Sequence, residues 1–375
     1  MDFTYHIPVR LLFGPGKLAC VGAETARYGG KALIVTGGSA KRSGLLNRVT
    51  ALLQQSGVES ELFDRVEPNP LTTTVEAGAA MAKACGADVV VGLGGGSALD
   101  TAKGIAFMAR NEGDVSDYIF GRRTGKDALP LVLVPTTCGT GSEGNHFSVL
   151  TNPLTGDKKS LRCEPIFARV AVIDPELMAT LPRAVVASVG FDALSHNMEA
   201  YYARAAQPLT DQMALNGIRL LAASLPRVLD NPADMAAWCD VTLASTLGGM
   251  AIGMAGVGAI HALEHPVSGL RNVTHGLGLA ALTPEIIRRT VAHAPGRCAE
   301  LSRALGGKDE QDFADTLRRW MDRLQVSVTL SQLGVLPQDV DWMAENCLKV
   351  SAASLQNHPV TLTLEEIRAV YRASL

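Results

Sequence analysis

The chain has 375 residues, 47% hydrophobic and 19% charged, with a formal net charge of −3 and a pI near 6.3. That length exceeds one ordinary core, so two domains are expected, and the interspersed, slightly acidic charge excludes a basic nucleic-acid surface or an anionic-membrane anchor. Seven cysteines without a CxxC pair, and a start at Met1-Asp2-Phe3 with neither a basic nor an apolar leader region, point to reduced thiols in a cytoplasmic protein.

In chain order, residues 6–13 predict a strand that Pro8 marks as an edge or an exchanged arm. Residues 31–36 predict a buried strand running into Gly37-Gly38-Ser39, with a helix over 45–55. A turn at Pro68-Asn69-Pro70 leads to an alanine-rich helix over 72–85, and 88–91 is another buried strand. It passes into Gly94-Gly95-Gly96-Ser97 and a helix over 100–110, and the run 131–134 ends at Pro135. Residues 147–151 and 158–161 flank Asn152-Pro153-Leu154-Thr155-Gly156 as a hairpin, and 170–173 is the last strand. This alternation predicts an α/β, Rossmann-like domain over 1–182 with a parallel sheet. After Pro182, Ala and Leu at helical spacing dominate, and 183–375 is expected to be all-helical. The run 241–263 contains no Asp, Glu, Lys or Arg, but its Ala, Gly, Met, Ser and Thr predict a buried helix rather than a membrane span.

A strand that ends in glycines and opens a helix presents backbone N–H groups to a pyrophosphate. Gly94-Gly95-Gly96-Ser97 has this form without being a GxGxxG fingerprint, and Thr136-Thr137-Cys138-Gly139-Thr140 supplies a second polar turn after a strand. Two such turns at the carboxyl ends of parallel strands converge on one crevice, which makes a dinucleotide the better reading.

In the helical half, Asp192 with His196 and His261 with His265 stand at i,i+4 spacing, and His275 follows ten residues after His265. Polar groups gathered in apolar segments need partners, and these residue types suit a divalent metal.

The ordered motifs Gly94-Gly95-Gly96-Ser97 through Asp100 and Lys103, Pro135 through Glu143, Asp192 through His196, His261 through Pro266, and Thr274-His275-Gly276 closely resemble the iron-dependent (group III) alcohol dehydrogenases. The likeness spans essentially the whole chain. It implies hydride transfer between a nicotinamide cofactor and a small primary alcohol or aldehyde. It further implies that Asp192, His196, His261 and His275 hold the metal, typically Fe²⁺, with Zn²⁺ or Mn²⁺ also suited to three imidazoles and a carboxylate. His265 is implied as a proton relay or as support behind the ligands. Gly94 to Ser97, Thr136, Thr137 and Thr140 would hold the diphosphate and nicotinamide side, with Asp100 beside them. The related glycerol-dehydrogenase-like and dehydroquinate-synthase-like enzymes share the architecture, and polyol oxidation or a lyase reaction is the alternative. Similar enzymes are often homodimers or larger.

After the first βα strand, members that prefer NAD often carry an acid that binds the adenosine ribose and repels a 2′-phosphate. Here Gly37-Gly38-Ser39-Ala40-Lys41-Arg42 has none and offers two cations, so NADP(H) is expected over NAD(H). The same two cations would serve equally as a solvated helix start. The substrate pocket is expected near His146 and 257–263.

Overall fold

The computed structural model describes residues 2–375. The sheet is built from strands β1 (Arg10–Phe13), β2 (Lys31–Gly37), β3 (Glu59–Val66), β4 (Val89–Gly94), β5 (Leu131–Pro135) and, after a hairpin, β8 (Val170–Ile173). The hairpin is β6 (Phe147–Thr151) antiparallel to β7 (Lys158–Arg162). The six pair in parallel in the order β1-β8-β5-β4-β2-β3.

The central strands are continuously apolar because helices cover both faces of the sheet. Leu33, Val35, Val90 and Leu133 face Val75 and Ala79 of the Thr72–Cys85 helix and Leu99, Ala102 and Ile105 of the Gly96–Met108 helix. Ala32, Ile34, Val91 and Val134 face Leu46, Val49 and Leu53 of the Leu45–Gln55 helix.

The first strand begins at Arg10 rather than residue 6, and in this chain it is an edge paired only with β8; Pro8 has no N–H to give to a ladder. After β2, Gly38–Arg42 forms a short helix ahead of the Leu45–Gln55 helix.

From Arg183 onward the described residues form helices and loops. The Arg183–Tyr202 helix is buried on every face from Gly190 to Tyr202, so each polar group on it requires a partner inside the protein. Small residues allow its neighbours close: a Cβ on Gly190 would sit 2.5 Å from a Leu225 methyl, and one on Gly248 would sit 2.7 Å from Asn197 Nδ2.

The charge-free run 241–263 is two helices, not one. The Met235–Ala255 helix, long and apolar enough to cross a membrane, is mostly buried within this half. It stops at Gly256, whose φ is +72°, and the Ala259–Arg271 helix starts after Gly258. Asn357 holds the break by donating through Nδ2 to the carbonyls of Ala255 (2.7 Å) and Val257 (3.0 Å).

Candidate active site

The Gly turn sits at the carboxyl edge of the sheet, where β4 ends at Gly94 with φ +148°. Thr136 N donates to Gly94 O at 2.9 Å, which lays the second turn alongside the first. A Cβ on Gly95 would meet the Thr137 side chain at 3.1 Å, and one on Gly96 would meet Thr140 Cγ2 at 2.4 Å. The glycines are therefore required by the threonines, and the helix N-terminus at Gly96-Ser97 stays open as an anion site.

Asp100 lines the same cleft, but its Oδ1 accepts from Ser142 Oγ (2.5 Å) and its Oδ2 from Val149 N (3.0 Å). Lys103 is fully buried, with Nζ donating to Ser142 O, Ser142 Oγ, Asn145 Oδ1 and Phe147 O. Burial pushes the Lys103 ammonium down to about 8, against the raising effect of Asp100 and Glu143. Both residues brace the 142–149 segment, and Asp100 does so while remaining in the wall of the cleft.

At the end of β2, Gly37, Gly38 and Ser39 lie on the same sheet edge. The Arg42 guanidinium reaches back over Gly38, its Nη1 standing 2.7 Å from where a Cβ would be. Lys41 instead pairs with Asp64 of β3 at 3.5 Å.

The metal-type residues gather across the cleft. Asp192, His261 and His275 each place a donor atom within 4.8 Å of the other two. Asp192 Oδ1 is 3.6 Å from His261 Nε2 and 3.7 Å from His275 Nε2. These separations are too long for hydrogen bonds, and both Asp192 Oδ1 and His261 Nε2 are buried without a partner. Donors on a tetrahedron with bonds of about 2.1 Å stand roughly 3.4 Å apart, so the arrangement fits a small divalent cation between them. His196 lies beside this group: its ring stacks on His261 at 4.5 Å, and its Nδ1 is 3.6 Å from Asp192 Oδ1 and 3.3 Å from Gly139 O.

Electrostatics follow the geometry. Burial would raise the Asp192 carboxyl, but His196, His261 and His275 together hold it well below the ordinary range. Burial pushes the His196 imidazole down to about 4 despite Asp192. For His261 the burial penalty is outweighed by Glu199 and Asp192, which raise it to about 9 in the absence of a cation.

Two acids and one lysine complete the site without having been expected from the sequence. Glu199, fully buried, accepts from Gly258 N (3.0 Å) and Ile260 N (2.8 Å) through Oε1 and from His261 Nδ1 through Oε2. It thus caps the Ala259–Arg271 helix and fixes the tautomer that leaves His261 Nε2 free to ligate. Glu264 Oε2 lies 2.5 Å from His275 Nδ1, off the line of a hydrogen bond, and 3.6 Å from Lys158 Nζ. The signal for both acids was readable in principle: Glu199 is three residues after His196, and Glu264 three after His261, on helices with little polar face. Lys158 comes from the hairpin and carries no such signal.

His265 lines the cleft, its ring 6.4 Å from His261 and 6.2 Å from His275. Burial and the Lys158 charge hold its imidazole well below the usual histidine range. One cleft is lined by Gly96, Ser97 and Thr140 as well as by His196, His261, His265 and His275.

Residues 8–175 match the model of iron-containing alcohol dehydrogenases, and residues 186–375 match the carboxyl-terminal model of the same family. The chain belongs to the iron-containing alcohol dehydrogenase family. Alcohol dehydrogenase 4 of Saccharomyces cerevisiae is 35% identical over 98% of this chain and 97% of its own length. The 1,3-propanediol dehydrogenase of Klebsiella pneumoniae is 35% identical over 99% and 98%. Among solved structures, an archaeal alcohol dehydrogenase from a Red Sea brine pool superposes with a TM-score of 0.96 at 30% identity, covering 100% of this chain and 99% of that one. As a member of the family, the protein is an oxidoreductase of small alcohols that works with iron and a nicotinamide cofactor.

Proposed function

We propose that this iron-containing alcohol dehydrogenase interconverts short primary alcohols and aldehydes and prefers NADP(H) to NAD(H). The observation that carries the assignment is the single cleft that joins the Gly96-Ser97-Thr140 turn to the histidine cluster. In this reading Asp192, His196, His261 and His275 hold the metal, Fe²⁺ first, with Zn²⁺ and Mn²⁺ compatible with the same donors. When bound, the metal supplies Lewis-acid stabilisation of charge developing on the substrate oxygen, and the nicotinamide supplies or accepts the hydride.

The chain's own residues set the geometry. Glu199 and Glu264 orient two imidazoles from behind, and the Gly94 to Ser97 turn offers its N–H groups to the diphosphate, flanked by Thr136, Thr137 and Thr140. His265, beside the ligands in the cleft, takes the hydroxyl proton during oxidation and returns it during reduction.

Support for NADP(H) comes from the end of β2, where residues 37–42 include no acid and Arg42 stands over Gly38. A guanidinium there suits a 2′-phosphate. Lys41 contributes less, because Asp64 already pairs with it. The test is anaerobic loading with Fe²⁺, Zn²⁺ or Mn²⁺ and measurement of kcat/KM for butanal with each cofactor. NADPH is expected to exceed NADH, and Arg42→Ala to cut that preference at least tenfold; a kcat/KM with NADH that matches or exceeds NADPH overturns the cofactor assignment.

A further inference from the structure

We propose that the substrate of this dehydrogenase carries an anionic tail, held by Arg162 at the junction of two neighbouring cavities. The inference rests on the alcohol dehydrogenase reading above and names its substrate class: short aldehydes and alcohols bearing a carboxylate or sulfonate at the far end.

Arg162 closes β7 opposite Phe147 of β6, and its guanidinium lies 4.3 Å above the Phe147 ring. A guanidinium over a ring face is held by cation–π attraction and keeps its N–H donors for other partners. The residue lines the cleft that contains His261, His265 and His275, and it also lines an adjoining cavity with His146, Met254 and Asn357. Arg162 is an exposed residue, and partial desolvation by its surroundings lowers its pKa from the usual arginine value.

No carboxylate balances it. Among the described residues, no acid lies within 4.0 Å of its guanidinium, the distance of an ion pair. The cleft that holds the histidines has one acid in its wall, Asp100, and both its oxygens accept hydrogen bonds, from Ser142 and Val149. The adjoining cavity has none. The other cation of the cleft, Lys158, is already engaged by Asn69 Oδ1 at 2.9 Å and Glu264 Oε2 at 3.6 Å. Arg162 is therefore the uncompensated charge of the cleft, in a concave setting where an oxyanion would find a planar, two-pronged partner.

The reaction itself is unchanged. In reduction the carbonyl carbon gains a hydride, the oxygen gains a proton, the cofactor is oxidised, and the tail passes through intact.

The test compares 4-oxobutanoate and 3-oxopropanesulfonate with uncharged butanal on the metal-loaded protein. Wild-type kcat/KM is expected to be at least tenfold higher for one or both anions, and the better of the two identifies the tail. Arg162→Gln should remove that advantage, mainly through KM, while turnover of butanal and the KM for NADPH change less than threefold; Arg162→Lys should retain part of it. A binding readout runs beside the kinetics: with NADP⁺ present, 4-hydroxybutanoate should raise the Tm more than equimolar 1-butanol, and only with Arg162 in place. Butanal used as well as the anions, or equal losses for charged and uncharged substrates in Arg162→Gln, overturns the anionic tail and leaves the dehydrogenase reading standing. Absence of turnover with all three removes both.

Discussion

The imidazole of His261 is useful to a metal only in one tautomer, and Glu199 selects it. Its carboxylate is acceptor-only, so Nδ1 must donate and Nε2 is left with a lone pair facing Asp192. Glu199→Gln keeps the size but offers an amide N–H where His261 needs an acceptor, or turns that N–H against the donors of Gly258 and Ile260. Metal affinity is expected to fall about 10- to 100-fold, as for other supports of ligating histidines. A chelator-competition titration measures it, and an unchanged affinity would refute the role. Asp192 and His261 are legible in the sequence because each has a histidine four residues on in apolar surroundings, and His275 only as a further histidine ten residues after the second pair. Glu199 and Glu264 carry the same spacing signal, but it becomes specific only once the buried faces of their helices are known.

At the scale of elements, β4 and the helix after it are written plainly: an unbroken apolar run, glycines, then a helix whose alanines and leucine face the sheet. The reason Gly96 must be glycine is not in that stretch but forty-four residues later, in Thr140. Gly96→Ala would bring a methyl to 2.4 Å from Thr140 Cγ2, so the two turns must separate. The expected result is at least a tenfold rise in the Kd for NADPH, read by fluorescence titration, with metal content retained. Adding Thr140→Ser removes the opposing methyl and should recover part of the loss. A double variant no better than Gly96→Ala alone would show that the clash is not the cause. The break at Gly256 is illegible for a similar reason. Its run holds several glycines, and the side chain that stabilises this one, Asn357, lies about a hundred residues away.

The whole molecule places the Gly-rich turns on one half and all four metal-type residues on the other, so the proposed activity depends on how the halves meet. On one side Asp157 of the hairpin accepts from Asn346 Nδ2 and Lys349 Nζ, both at 2.7 Å. On the other the Met235–Ala255 helix presses against the loop after β5, so closely that a Cβ on Gly249 would sit 2.0 Å from Gly141 O. The division into an α/β half and a helical half can be read from periodicity, but this seam cannot, because its partners are over a hundred residues apart. Gly249→Ala must force the loop and helix apart, since the obstructing atom is backbone and cannot rotate away. The displacement widens the distance between cofactor turn and histidine cluster without touching any ligand. A shift of about 1 Å in reacting groups costs on the order of 100-fold in rate. Gly249→Ala is therefore expected to keep its metal, measured by elemental analysis after gel filtration, while kcat falls by roughly that factor. Loss of metal in proportion to activity would locate the damage within the helical half instead, and a wild-type kcat would show that the seam does not set the reacting distance.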